Sequence, residues 1–157
     1  MKTPYDPESS LASLGLTLPA APKPVAAYIP WVRSGNLLYV SGQIPFVDGS
    51  LLLTGPLPDA GSLEQAQAAA RQCGLNALAV AKSALESLDR VSRVVRLAVF
   101  VASSPHYPDH PKVANGASEL MVAVFGERGR HARAAVGCSS LPLNATVEVE
   151  VLFEIAS

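Results

Sequence analysis

Apolar and polar positions follow two rhythms along this chain, and each change of rhythm marks an element. The clearest helical stretch opens at Ser62, where Leu63, Ala66, Ala70, Cys73, Ala77, Leu78, Ala81, Leu85 and Leu88 return at the spacing of one helix face. Ser62-Leu63-Glu64-Gln65 supplies a capping box, with serine at the N-cap and glutamine at N3. So much alanine on one stripe predicts close packing against a sheet. Gly74 weakens the helix, and its small size at a tight contact accounts for it. A second helix is predicted over Lys112–Phe125, stopping before Gly126.

The strand rhythm gives Ala26–Val32 and Asn36–Gln43, with hairpin chemistry in Ser34-Gly35-Asn36. Phe46–Asp59 reads as an irregular connection in which Leu51-Leu52-Leu53 adds a short strand. Val91–Ala102, Ala132–Cys138 and Thr146–Ile155 complete the set. Met1–Pro24, rich in proline, is expected to be an extended N-terminal arm with at most one helical turn around Ser10–Leu14, ahead of a single domain over 25–157. The order β-β-α-β-α-β-β specifies an α+β fold, a mixed sheet with both helices on one face.

Two strands qualify that picture. Val94–Val101 hardly alternates, so it should be buried on both faces, yet two helices cover only one. The simplest cover for the other face is a second copy of the chain, which predicts a homo-oligomer. In the last strand Val147, Val149, Val151, Phe153 and Ile155 share one parity, while Glu148, Glu150 and Glu154 share the other. The apolar set belongs under the helices. The acidic set belongs to the oligomer side, a cleft there, or a solvated face.

Composition narrows the function. The 157 residues are 49% hydrophobic and 16% charged, with a net charge of −1, which suits one well-filled domain. That balance lacks the basic footprint of a nucleic-acid binder, so no nucleic acid is expected. Cys73 and Cys138 form no CxxC pair or disulfide framework. With no leader-like N-terminus and no apolar run of membrane length, the expectation is a cytoplasmic protein with no membrane partner.

Candidate chemistry centres on Gly129–Gly137. Arg133 enters a predicted strand and is followed by small residues, so a planar guanidinium stands in uncrowded space, suited to two-point recognition of a small carboxylate. An ordinary solvated arginine at a strand end is the alternative. His131, two residues away, belongs to the rim of the same site as a candidate proton donor. His106 and His110 are four apart, but Pro105, Pro108 and Pro111 oppose a shared helical face, and no metal site is assigned. Ser41 and Ser139-Ser140 lack a nucleophile-elbow context. Trp31 and Tyr39 read as core or interface residues.

Three segments then carry a family likeness: Val40-Ser41-Gly42-Gln43-Ile44-Pro45; Val113-Ala114-Asn115-Gly116-Ala117; and His131-Ala132-Arg133 continuing through Leu141-Pro142 to Val147-Glu148-Val149-Glu150. In this order and spacing, from about Pro24 onward, the chain resembles the reactive-intermediate deaminase family (Rid, YjgF-type, also called L-PSP endoribonuclease-like), in its longer subgroup. The resemblance implies a chorismate-mutase-like fold of the bacillus type, a homotrimer with intersubunit clefts, and cofactor-free hydrolysis of 2-imino acids to 2-keto acids and ammonia. It implies that Arg133 clamps the substrate carboxylate, Glu148 holds the attacking water, Tyr28 lines the cleft, and Gly42 and Asn115 border it. Many members carry cysteine where this chain has Ala135, which leaves only backbone groups to touch substrate there. Two other functions stay open at this point: a trimer that binds small carboxylates without turnover, and an endoribonuclease-like activity. Near-neutral charge, a single tryptophan and the lack of a paired-histidine site oppose the last.

Overall fold

A computed structural model describes residues 6–23 and 27–157. Ten elements matter here: α1 (Pro7–Ser13), β1 (Trp31–Ser34), β2 (Leu37–Gln43), β3 (Phe46–Val47), β4 (Ser50–Leu51), α2 (Leu63–Leu85), β5 (Val91–Ala102), α3 (His110–Phe125), β6 (Ala132–Cys138) and β7 (Val147–Ile155). The main sheet runs β1-β2-β7-β5-β6. Its pairs are antiparallel except β5 with β6, which is parallel. The expected α+β architecture holds: α2 packs on β2 and β7, and α3 on β5 and β6, covering one face of a mixed sheet.

The capping box forms as predicted, Ser62 accepting from the Gln65 N–H while the Gln65 side chain accepts from the Ser62 N–H. Small residues let α2 approach both the sheet and α3. A Cβ on Gly74 would stand 2.9 Å from Leu120, and one on Gly116 would run into the Gln67 carbonyl. The glycines therefore set the helix–helix distance, as expected for Gly74. Cys73 is wholly buried on this stripe, its sulfur 3.6 Å from the Val147 carbonyl. Burial, with a smaller contribution from Glu148, pushes its thiol pKa well up.

Several expectations need correction. Residues 7–13 form a helix of nearly two turns rather than an extended arm: Asp6 caps it by accepting from Glu8 and Ser9, and Pro7 occupies the first turn, where a missing N–H costs nothing. Leu11 is buried, and Glu8 meets Lys82 at 3.1 Å. The strand expected over Ala26–Val32 begins only at Trp31 and extends to Ser34; Pro30 accepts from the Ser41 N–H but, without an N–H of its own, cannot donate to extend the ladder. Ala26 and the expected boundary at Pro24–Val25 lie outside the described residues. The short strand expected at Leu51–Leu53 overlaps the observed one only at Leu51: β4 covers Ser50–Leu51 and is the second arm of a β3–β4 hairpin. α3 begins at His110 rather than Lys112, because Pro111 in a first turn does not hinder a helix.

The parity expected of β7 is observed. Val147, Val149, Val151, Phe153 and Ile155 are buried beneath the helices, and Leu97, Val99 and Val101 of β5 join them. Among the described residues nothing covers the opposite face. It carries Val32, Tyr39, Phe100, Val136, Leu152 and the glutamates. Tyr39 is 48% and Val136 46% exposed.

Candidate functional site

Arg133 lies on β6, the edge strand, and pairs in register with Leu97, which places it on the helix-covered face beside α3. The sequence suggested an uncrowded guanidinium, but one end is held. Arg133 Nη1 donates to Asn115 Oδ1 at 2.8 Å and to Ser118 Oγ at 3.2 Å, both on α3. Two acceptors use both hydrogens of Nη1. Among the described residues nothing occupies Nε or Nη2, the parallel pair of donors that a carboxylate engages side-on. An open pocket of about 380 Å³ is lined by Arg133 together with Ser118, Val122, Arg130 and His131. The half-buried Ala135 follows Arg133 on the same face, in register with buried Val99.

His131 is part of this construction and not a free rim group. Its Nδ1 is 2.6 Å from the Gly129 carbonyl, and its Nε2 is 2.9 Å from Ser118 Oγ. The sequence showed His131 near Arg133 but gave no sign of Ser118, which reaches both through one turn of α3.

The second group of candidates gathers elsewhere. Between Val40 and Gln43 the β2–β7 register slips, and Gly42 lies in that bulge. A Cβ there would collide with the Glu148 carboxylate, so glycine is required for that side chain's present position. Glu148 pairs with Phe100, and Phe100 with Val136, which places it on the uncovered face. Burial, and secondarily the charge of Glu150, raises its pKa above the ordinary glutamate value. Among the described residues its carboxylate accepts no hydrogen bond. Tyr28 is exposed in the segment before β1, where the Ile29 and Pro30 carbonyls accept from Ser41, the neighbour of Gly42. Within one chain, then, the structure joins Arg133 to Asn115 and Gly42 to Glu148, and sets the two pairs on opposite faces of the sheet.

A third cluster went unforeseen. Ser103 Oγ and His110 Nε2 are 3.0 Å apart at the wall of a cavity of about 600 Å³, also lined by Tyr107, Gly137 and Cys138. Tyr107 meets the His110 ring edge-on, and a Cβ on Gly137 would stand 2.5 Å from His110 Nε2. The described residues hold no group of three potential metal ligands, so His106 and His110 do not assemble one. No helix among them is long and apolar enough to cross a membrane.

Comparison with known proteins agrees with this fold. Residues 8–155 match the model of a family described as "YjgF/chorismate_mutase-like, putative endoribonuclease". The chain is 49% identical over 148 residues to Protein TCP17 of Trypanosoma cruzi, covering 94% of this chain and 92% of that one. It is 31% identical over 141 residues to a 2-iminobutanoate/2-iminopropanoate deaminase of Dermatophagoides farinae, covering 89% and 94%. A solved structure described as a "putative endoribonuclease" of Shewanella oneidensis superposes with a TM-score of 0.92 at 35% identity, covering 96% of this chain and 99% of that one.

Proposed function

This chain belongs to the YjgF/chorismate mutase-like family, and on that premise we propose that it hydrolyses reactive 2-imino acids to 2-keto acids and ammonia, without a cofactor, at clefts between neighbouring copies of a homotrimer. The observation that carries this reading is the half-engaged Arg133: α3 fixes one end of its guanidinium, Nε and Nη2 have no partner among the described residues, and the side chain lines an open pocket. That edge matches a carboxylate, the one charged group every 2-imino acid carries. A relative from Dermatophagoides farinae bears the name of this activity.

The chemistry asks little beyond orientation. With the carboxylate on Arg133, water adds to the imine carbon and passes a proton through Glu148 to nitrogen; the carbinolamine then collapses to the keto acid and expels ammonia. A glutamate with a raised pKa is a better base for this than an ordinary one, and a positioned general base contributes about 10²–10⁴-fold in rate. Because Arg133 and Glu148 face opposite ways in one chain, a complete site takes Arg133 and Asn115 from one copy and Gly42, Glu148 and Tyr28 from its neighbour. Ala135 contributes only its backbone.

Substitutions at two positions test this. Arg133→Ala should lower 2-iminobutanoate hydrolysis by at least about 10²-fold without changing the oligomer, and Arg133→Lys should rescue poorly because an ammonium has no planar fork. Glu148→Gln should retain affinity for pyruvate while losing turnover; unaltered turnover would reject Glu148 as the base. If the site is split, mixing and reassembling the two inactive variants should restore about a quarter of the wild-type rate, as expected for random trimers. An Arg133→Ala enzyme with the wild-type rate would defeat the assignment.

A further inference from the structure

We propose that Ser118 and His131 form a directional hydrogen-bond relay that holds Arg133 with its side-on edge toward the ligand, making both positioning residues for carboxylate capture. This rests on the deaminase reading above and concerns a feature that reading does not need.

The direction of the relay follows from donor and acceptor chemistry. The Gly129 carbonyl can only accept, so the 2.6 Å contact requires the proton on His131 Nδ1. In a neutral imidazole Nε2 is then bare and must accept, which makes the Ser118 hydroxyl, 2.9 Å away, its donor. With its hydrogen spent on the ring, Ser118 Oγ presents only lone pairs to Arg133 Nη1 at 3.2 Å. Each link forces the polarity of the next, from a backbone carbonyl to the guanidinium. Asn115 alone would anchor Nη1 at one point, about which the plane of the guanidinium can swing. The second acceptor fixes that plane, and with it the direction of Nε and Nη2.

The placement of the parts supports a built device. Gly129 packs so closely on α3 that a Cβ would run into the Met121 carbonyl, which holds the relay's first carbonyl against the helix that carries Ser118. Ser118 and Asn115 are three residues apart on α3 and so share one helical face. His131 immediately precedes β6, and Arg133 is that strand's second residue. The pocket beside Arg133 is lined by three of the relay's members, Ser118, His131 and Arg133.

The test compares Ser118→Thr with Ser118→Val, a pair matched in shape and helix propensity that differs in the hydroxyl alone. With 2-iminobutanoate as substrate, Ser118→Thr should stay within about two-fold of wild type, whereas Ser118→Val should raise KM by about ten-fold with a smaller change in kcat, the scale typical of lost outer-shell support. Thermal unfolding of the two variants should coincide, separating positioning from folding. Independently, nitrogen NMR of the His131 imidazole should report the Nδ1-protonated tautomer in wild type and a mixture of tautomers in Ser118→Val. Equal KM values for the pair, or an Nε2-protonated His131 in wild type, would overturn the relay. If Arg133→Ala alone left hydrolysis unchanged, the deaminase reading would fail instead, and the tautomer measurement would still decide the relay.

Discussion

On β7, residues one position apart live in different solvents. Phe153 is fully buried beneath α2 and α3, whereas Leu152 and Glu150 look out on a face that none of the described residues covers. The helix side is sealed by alanines and glycines that let the layers meet at short range. The bare side keeps a mixture of aromatic, aliphatic and acidic groups, with Val32, Tyr39 and Val136 about half exposed. The contrast separates two jobs of one sheet: the first face makes the chain fold, and the second is available to another molecule.

The largest effect should come from the sealed side. Phe153→Ala is expected to cost about 3–5 kcal/mol in denaturant unfolding, since the Phe125 ring stacked edge-on at 6.3 Å cannot refill the space. Leu152→Ala, its neighbour in sequence, should cost the isolated chain about 1 kcal/mol or less. Equal losses would erase the distinction between the faces. Next comes assembly: Leu152→Arg should shift the mass measured by light scattering toward the monomer while the secondary structure seen by circular dichroism persists. An unchanged mass would remove this face from the interface.

The smallest effect is a pH signature at Glu148. Its raised pKa means the fold prefers the protonated carboxyl, so this contribution to stability is complete below the ordinary glutamate value and is lost as pH rises through the elevated one. Glu148→Gln should therefore match wild type in acid and melt slightly higher near neutrality, by a margin that grows across that window. A variant that melts lower at neutral pH would contradict the assigned environment.

Much of this was legible from residue spacing. The Ser62–Gln65 box set the start of α2, Val91–Ala102 matched β5 residue for residue, and the valine–glutamate alternation of β7 predicted which side would be dry. Local chemistry failed where prolines were ambiguous. Pro7 and Pro111 begin helices although proline-rich runs read as extended chain, and Pro30 delays β1 although its neighbours favour a strand. The candidate site was legible only as a list of residue types. Arg133 and Asn115 are 18 positions apart and meet because α3 crosses the end of β6, and Gly42 meets Glu148 through a bulge that no periodicity announces. Ser118, the single serine of α3, offered no signal because nothing in its local sequence ties it to His131 or Arg133.

The interior thiol of Cys73 turns the molecule into its own clock. With its sulfur enclosed and its ionisation suppressed, an alkylating reagent can reach it only after α2 parts from the sheet. Cys138, half-buried at the end of β6, should be modified first, and the lag before a second label arrives would time the opening of the core.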